Sequence, residues 1–216
     1  MAESSLRQTY PALARIELAA FLPNDAKTFL DIGCGRGGFA STIRGAAPKA
    51  FITGIEILSE QAEEAIGVMD EMIVGEIPAV LDQFGGRSFD CIILNDILEH
   101  LVDPWATLTR IKEMTHPGTV IISSIPNVQF LPVTLNLLFR GRWDYADAGI
   151  LDRTHLRFFT RKSIEEMFPQ CGFQVESIQG INSPFSRQWL ALRSLMPLLR
   201  DRRWLQFAVV ARPKHD

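Results

Sequence analysis

Cysteine, charge of one sign and long apolar runs are all scarce in this chain. Its three cysteines, Cys34, Cys91 and Cys171, are odd in number and far apart. They exclude a disulfide framework and a zinc knuckle, and they fit a reducing compartment. Lys and Arg number 22 against 25 Asp and Glu, a net charge of -3 with a pI near 5.8. That balance leaves no basic field for holding nucleic acid irrespective of sequence. The longest apolar run, Phe130–Phe139, carries Pro132 and Asn136 and falls short of the roughly 20 residues that cross a bilayer. The first residues lack the basic-then-apolar order of a secretory leader. Internal repeats and low-complexity tracts are missing too. The expectation is a cytoplasmic protein with no membrane span and no nucleic-acid partner.

What is present is the composition of one globular domain. The 216 residues are 47% hydrophobic and 22% charged, enough to bury a substantial core. The chain is organised around Thr28–Ala40, T-F-L-D-I-G-C-G-R-G-G-F-A. An apolar run of strand length leads into four glycines within six positions, and helical character follows. Strand, glycine-rich turn and helix in that order place a nucleotide-like ligand at the carboxyl end of a buried parallel strand. Gly33, Gly35 and Gly38 also satisfy the dinucleotide spacing G-x-G-x-x-G, so an NAD(P)-dependent oxidoreductase is the leading alternative. Asp31 decides between the two. A carboxylate two residues before the first glycine repels a pyrophosphate, whereas S-adenosylmethionine carries an ammonium and a sulfonium that it offsets.

Taken in order, the periodicity predicts a short amphipathic helix over Tyr10–Phe21, with Leu13, Ile16, Leu18 and Phe21 at near-helical spacing. Strands follow at Ala50–Glu56, Glu71–Val74, Phe89–Leu94 and Thr119–Ile125, and Ser59 is expected to cap a helix through Gly67. Asp103-Pro104 opens another helix, aspartate as N-cap and proline first inside, with Trp105, Leu108 and Ile111 as its apolar stripe. Strand and helix in alternation mean a parallel sheet with helices on both faces, a doubly wound α/β fold. The alternation fails after Ile125, and Pro126–Phe159 is too long to be a plain connection. Thr160 then caps a helix that Pro169 stops and Gly172 closes. Phe173–Gln179 and Leu205–Ala211 read as late strands, with the amphipathic Phe185–Leu199 between them.

The stretch D-I-G-C-G-R-G-G resembles motif I of the class I S-adenosylmethionine-dependent methyltransferases. The resemblance implies a Rossmann-like, three-layer α/β/α domain over residues 1–216, with a seven-stranded sheet whose last strand is antiparallel. It also implies S-adenosyl-L-methionine as cofactor, held by Asp31, Gly33, Cys34, Gly35 and Gly37. Glu56 ends the second strand about twenty residues beyond the glycines, where a carboxylate accepts both ribose hydroxyls. The adjacent Ile57 is expected to pack on the adenine. Glu76 resembles the acidic residue that family members use for the adenine amino group, although V-G-E-I-P stands here for the more usual G-D-I-E. Ile77 would offer its N–H to the ring.

Asn95-Asp96-Ile97-Leu98-Glu99-His100 resembles motif IV and puts the Asn95 backbone or the Asp96 side chain by the methionine end of the cofactor. Asp96, Glu99 and His100, at i, i+3 and i+4, share one face of a helical turn. The ubiquinone-type O-methyltransferases have a similar E-x-x-E-H run, implicated there with a divalent cation. With aspartate in the first place, no metal ligand is expected here. His100 reads equally as a base or as a partly buried histidine held by a neighbouring carboxylate.

The segment R-W-D-Y-A-D-A-G-I-L-D-R-T-H-L-R-F-F-T resembles a branch of bacterial methyltransferases in which this run follows P-N-V and a leucine-rich helix. Members of that branch are associated with envelope-sugar and glycosyl-transfer functions, and the expected reaction is methylation of a small-molecule or sugar-type acceptor on oxygen, with nitrogen as the alternative atom. The segment is expected to be a lid inserted at about 126–160, with His155 as the base able to take a hydroxyl proton near neutral pH. The blander expectation is that Asp152, Arg153 and Arg157 form ion pairs that pin the lid and that His155 is merely packed. A non-catalytic cofactor-binding scaffold, docking through Trp189–Leu199, is the third reading. A homodimer is compatible with the sequence.

Overall fold

The computed structural model describes residues 14–184 and 200–214. Seven strands run β1 Thr28–Ile32, β2 Phe51–Glu56, β3 Glu71–Val74, β4 Cys91–Asn95, β5 Val120–Pro126, β6 Phe173–Ile181 and β7 Gln206–Pro213. They form one sheet in the order β3-β2-β1-β4-β5-β7-β6. β1 to β5 are mutually parallel, and β7 lies antiparallel between β5 and β6. The late strand pair therefore closes the sheet as expected, where a dinucleotide-binding fold would add a parallel sixth strand.

The strands read as continuous apolar runs because both faces of the sheet are covered. Alternate residues of one strand enter different cores. Leu30, Ile32, Ile92 and Leu94 pack with Leu108, Ile111, Ile164 and Phe168 on one face. Phe29, Cys91, Ile93 and Ile122 pack with Phe39, Ala40, Ile43 and Ala65 on the other. All three cysteines are free and buried in these layers.

Among the described residues there are six α-helices: α1 Gly38–Ala46, α2 Ser59–Ala65, α3 Ile77–Val80, α4 Pro104–Lys112, α5 Leu131–Arg140 and α6 Arg161–Gln170. The predicted caps of α4 and α6 form. Asp103 accepts the Ala106 N–H, and Thr160 exchanges bonds with Ser163 in a reciprocal box. Pro169 lies within the last turn of α6, and Gly172 at φ +83° follows the helix. Three local expectations are corrected. Ser59 is the first helical residue of α2 rather than its cap, because the Glu56 carboxylate already accepts the N–H groups of Ile57 and Leu58 and turns the chain one residue earlier. Trp105 is 38% exposed at the edge of a stripe made by Pro104, Thr107, Leu108 and Ile111. The N-terminal helix is a 3-10 helix over Ile16–Phe21, since Arg15 just before it adopts a left-handed φ of 45° that interrupts an α-helix. Its predicted first turn, Tyr10–Leu13, and the amphipathic Phe185–Leu199 lie outside the described residues.

After β5 the chain makes α5 and then runs without regular structure to Phe159. The ends of this excursion meet in a bridge between Asn127 and Phe159. The carboxyl ends of β1 and β4, where the strand order reverses direction, are where an open α/β sheet binds its ligand.

Candidate active site

One cleft of about 1080 Å³ opens at those strand ends. Of the residues assigned to the cofactor from sequence, Asp31, Gly33, Cys34, Gly35, Glu56, Ile57, Glu76, Ile77, Asn95 and Asp96 all line it. Gly37 does not. A Cβ on Gly37 would lie 2.6 Å from Val68 and 3.3 Å from Ala65, so that glycine serves the close approach of α1 to α2. Gly33 is constrained on the cleft side: at φ +71°, its Cβ would fall 1.9 Å from Ile97 Cδ1.

Glu56 is the organiser of this end. Its Oε2 accepts the Gly35 N–H at 2.9 Å, and its Oε1 accepts those of Ile57 and Leu58, also at 2.9 Å. Three backbone donors thus tie the turn after β1 to the turn after β2. The Gly33 and Cys34 N–H groups both donate to the Ile55 carbonyl, at 2.8 and 3.0 Å. The contribution of Cys34 is accordingly structural. Burial, and the carboxylates of Asp31 and Glu56, push its thiol far above the usual range, away from thiolate chemistry.

Asp31 is buried, and its Oδ2 has no hydrogen-bond partner. Burial raises its carboxyl to about 7, and the neighbouring Glu56 charge adds to the shift. Asn95, at the end of β4, likewise leaves its side-chain oxygen and nitrogen without a protein partner. Such orphaned buried atoms are costly unless a ligand satisfies them. Two buried carboxylates side by side ask for a cation, and a pyrophosphate against them is repelled. Arg36, the one cation in the glycine turn, is paired with Glu64 on α2. A ligand bearing an ammonium and hydroxyls, with no phosphate, matches the donor set.

Asp96 is held differently from expectation. Its backbone takes φ +53°, and the N–H donates to the Ser124 carbonyl at 3.1 Å. Its carboxylate accepts from Arg15, from the Ser124 hydroxyl at 3.0 Å and from the Gln206 amide at 2.6 Å. Burial raises the Asp96 carboxyl, and Arg15 and Ser124 pull it back. The left-handed backbone takes Asp96 off the helical face it was expected to share with Glu99 and His100, which sit on a short 3-10 turn, Leu98–His100. Arg15 was missed by sequence reasoning altogether, because nothing local marks an arginine 81 residues away as the partner of Asp96.

In place of Asp96, His155 joins Glu99 and His100. Donor atoms of the three lie within 4.8 Å of one another. The His155 ring meets that of His100 edge to face at 4.7 Å between centroids. His155 Nδ1 lies 2.9 Å from the Ile150 carbonyl. A carbonyl only accepts, so Nδ1 carries a proton, and Nε2 is the ring nitrogen left outside that bond. His100 Nδ1 faces the Thr154 carbonyl at 3.3 Å. Burial first, and then the neighbouring His155 ring, hold the His100 pKa below its ordinary value and keep that ring neutral. Glu99 is 1% exposed with both carboxylate oxygens unpartnered, and burial followed by the Asp96 charge drives its carboxyl well upward. The Glu99 carbonyl accepts the N–H groups of Leu156 and Arg157 at 2.8 and 3.0 Å, which clamps the D-R-T-H-L-R run over the motif IV turn. The expected ion pairs of that run are partly replaced. Arg153 pairs with Asp147, Asp152 accepts from the Thr154 N–H and hydroxyl, and Arg157 donates to the Val102 carbonyl.

The sequence pattern of a family described as "Methyltransferase domain" matches residues 5–178. The chain belongs to that methyltransferase family. Among curated relatives, the ubiquinone biosynthesis O-methyltransferase of Psychrobacter arcticus is 28% identical over 183 residues, covering 76% of this chain. The chain spans 66% of that relative's length. The Caulobacter vibrioides protein of the same name is 30% identical over 130 residues, 54% of this chain and 48% of its own. A methyltransferase from Archaeoglobus fulgidus, described as SAM dependent, superposes with a TM-score of 0.66 at 19% identity, covering 91% of both chains. One from Mesorhizobium loti superposes at 0.61 and 18% identity, over 94% of this chain and 98% of its own. The seven-stranded sheet with its antiparallel last strand is thus the fold of the class I methyltransferases. None of the described helices is long and apolar enough to cross a membrane.

Proposed function

We propose that this methyltransferase moves a methyl group from S-adenosylmethionine to a hydroxyl oxygen of a small-molecule acceptor. The observation that carries the reading is the unpartnered Asp31 carboxylate oxygen beside Glu56 at the carboxyl ends of β1 and β2. The O-methyltransferase names of the relatives support oxygen as the acceptor atom. When bound, the cofactor supplies an electrophilic methyl on a sulfonium. Asp31 and Asn95 would hold the amino-acid end, Glu56 the ribose hydroxyls, and Ile57, Glu76 and Ile77 the adenine. Residues 126–160 form the inserted lid of a single domain. Within it, Gly149, Ile150, Asp152, Thr154 and His155 line the cleft and offer a largely polar wall suited to a hydroxyl-bearing acceptor. His155 Nε2 would take the hydroxyl proton, and His100 would keep that ring in place. Orientation, water exclusion and this base are the protein's contributions.

Titration calorimetry tests the cofactor. S-adenosylmethionine and its demethylated product are expected to bind, and NADH is not. Saturable NADH binding with silence toward the methionine cofactor would overturn the reading. Asp31 adds a pH signature. With its carboxyl at about 7 in the ligand-free fold against an ordinary 3.8, it is protonated over much of that window while the unfolded chain is ionised. Ligand-free stability from this group therefore falls as pH rises from 3.8 to about 7. A cationic ligand favours the ionised form, so binding tightens with rising pH and releases a proton below about 7. Asp31→Asn should weaken binding and flatten this pH dependence. Persistence of the slope in that variant would assign the proton elsewhere.

The Glu99–His100–His155 cluster favours a second reading, in which these groups hold a divalent cation that polarises the acceptor hydroxyl. Chelation separates the two. If His155 is the base, turnover with a competent acceptor survives exhaustive EDTA treatment. Loss of turnover restored by added Mg²⁺, Mn²⁺ or Zn²⁺ assigns the cluster to metal instead.

A further inference from the structure

The cleft is lined by more carboxylates than the cofactor assignment uses. Asp31, Glu56 and Glu76 lie at the end assigned to the cofactor, and Asp96, Glu99 and Asp152 lie on the side of the excursion after β5. Among the described residues, the arginines of this lining are Arg15, Arg36 and Arg110. Each is already paired with an acid: Arg15 with Asp96, Arg36 with Glu64 and Arg110 with Asp82. These pairs leave no uncommitted guanidinium for a bound anion. On the acceptor side, Asp96 is also answered by Ser124 and Gln206, and one Asp152 oxygen accepts from the Thr154 N–H and hydroxyl. Glu99 is left over. It is 1% exposed, it lines the cleft, and neither of its carboxylate oxygens has a hydrogen-bond partner.

A neutral hydroxyl donating to Glu99 would leave a buried charge uncompensated, and an anionic group there would be repelled. An ammonium both donates and compensates. It offsets the burial and the Asp96 charge that disfavour the ionised Glu99 in the ligand-free fold. The cofactor's own cations do not fill this role. Its ammonium is assigned to Asp31. Its sulfonium loses its charge as the methyl leaves, so a carboxylate held against it would stabilise the ground state over the transition state. Glu99 lies instead with the two histidines, donor atoms of Glu99, His100 and His155 all falling within 4.8 Å of one another. A hydroxyl on His155 and an ammonium on Glu99 are then within the span of one small molecule, on neighbouring or next-neighbouring carbons.

We propose that the acceptor site takes an amino alcohol, such as an amino sugar or an aminomethyl phenol, the Glu99 carboxylate holding its protonated amine while its hydroxyl is presented to His155. The inference rests on the reading in which His155 takes the hydroxyl proton and the cluster holds no metal. The same contact selects the methylated atom. A nitrogen kept as ammonium has no lone pair with which to attack the sulfonium methyl, so oxygen is the nucleophile that remains.

Binding and turnover test it separately, both in EDTA so that no divalent cation takes the place of the ammonium. The full chain, saturated with the demethylated cofactor product, is titrated with glucosamine and 2-(aminomethyl)phenol and with their neutral counterparts, glucose and 2-(hydroxymethyl)phenol. At least one amine is expected to bind about tenfold or more tighter than its counterpart. N-acetylglucosamine keeps the nitrogen without its charge and should bind no tighter than glucose, a comparison that needs no variant. Glu99→Gln preserves the side-chain shape and should remove the preference, and titration with the demethylated product reports whether that variant is folded. The proposal is overturned if neither amine binds, if the amines bind no tighter than their neutral or acetylated counterparts, or if folded Glu99→Gln keeps the preference. Methyl found on the nitrogen by mass spectrometry of the turnover product would overturn it too. Amines preferred in binding, with no methyl passed from S-adenosylmethionine to any hydroxyl, would uphold the amine recognition and overturn the methyl-transfer reading alone.

Discussion

Replacing His155 by alanine is expected to lower turnover by about 10²-fold or more while leaving cofactor affinity within about threefold. The cofactor and the base are separated in the fold. The groups assigned to the cofactor come from the ends of β1, β2, β3 and β4, whereas His155 reaches the same cleft from the excursion after β5. Its Nδ1 is committed to the Ile150 carbonyl, so the fold leaves Nε2 as the nitrogen available to the acceptor. Burial holds the His100 pKa below its ordinary range, so that ring stays neutral and takes up no proton near neutral pH. Because the His155 ring also packs edge to face on His100, some loss of melting temperature is expected alongside. If the melting temperature drops and turnover persists, His155 is structural, and the proton goes to His100 or to water.

The second large effect lies at Glu56. Glu56→Ala is expected to weaken cofactor binding by about 1.5–3 kcal/mol, tenfold or more, the usual range for hydrogen bonds to a charged group. The structure adds a reason beyond the ribose. The same carboxylate already gathers the N–H groups of Gly35, Ile57 and Leu58, so removing it loosens both turns that frame the cleft. A lower melting temperature should accompany the weaker binding, with the sheet intact. Glu56→Gln keeps one acceptor oxygen and should fall between the wild type and alanine in both measurements. Unchanged affinity in the alanine variant would mean that the ribose is held by other groups and that Glu56 only organises the turns.

Much of this architecture is local and was therefore legible in the residues. Strands buried on both faces must be apolar throughout, so F-L-D-I, C-I-I-L and V-I-I-S-S-I announce themselves. The glycine turn after β1 is legible because a Cβ at Gly33 has no room against Ile97. The caps at Asp103 and Thr160 act within one turn of their own helices, as spacing alone predicts. Asp31 and Glu56 follow from their places at strand ends, since neighbouring parallel strands bring those ends together.

The other half of the cleft was decided by tertiary structure. Asp96 at i relative to Glu99 and His100 promises a shared face only if the backbone is helical. Its left-handed φ, fixed by bonds to Ser124 and by Arg15 from the far end of the sequence, breaks that premise. Gly37 has the spacing of a ligand glycine, yet the packing of α1 on α2 claims it. His155 reaches His100 across 55 residues because the Asn127–Phe159 bridge returns the excursion to the sheet and the Glu99 carbonyl catches Leu156 and Arg157. Sequence periodicity records which face of its own element a residue occupies. Which face of another element it will meet is settled by chain closure and by the pairing of buried polar groups, and both exist only in the folded chain.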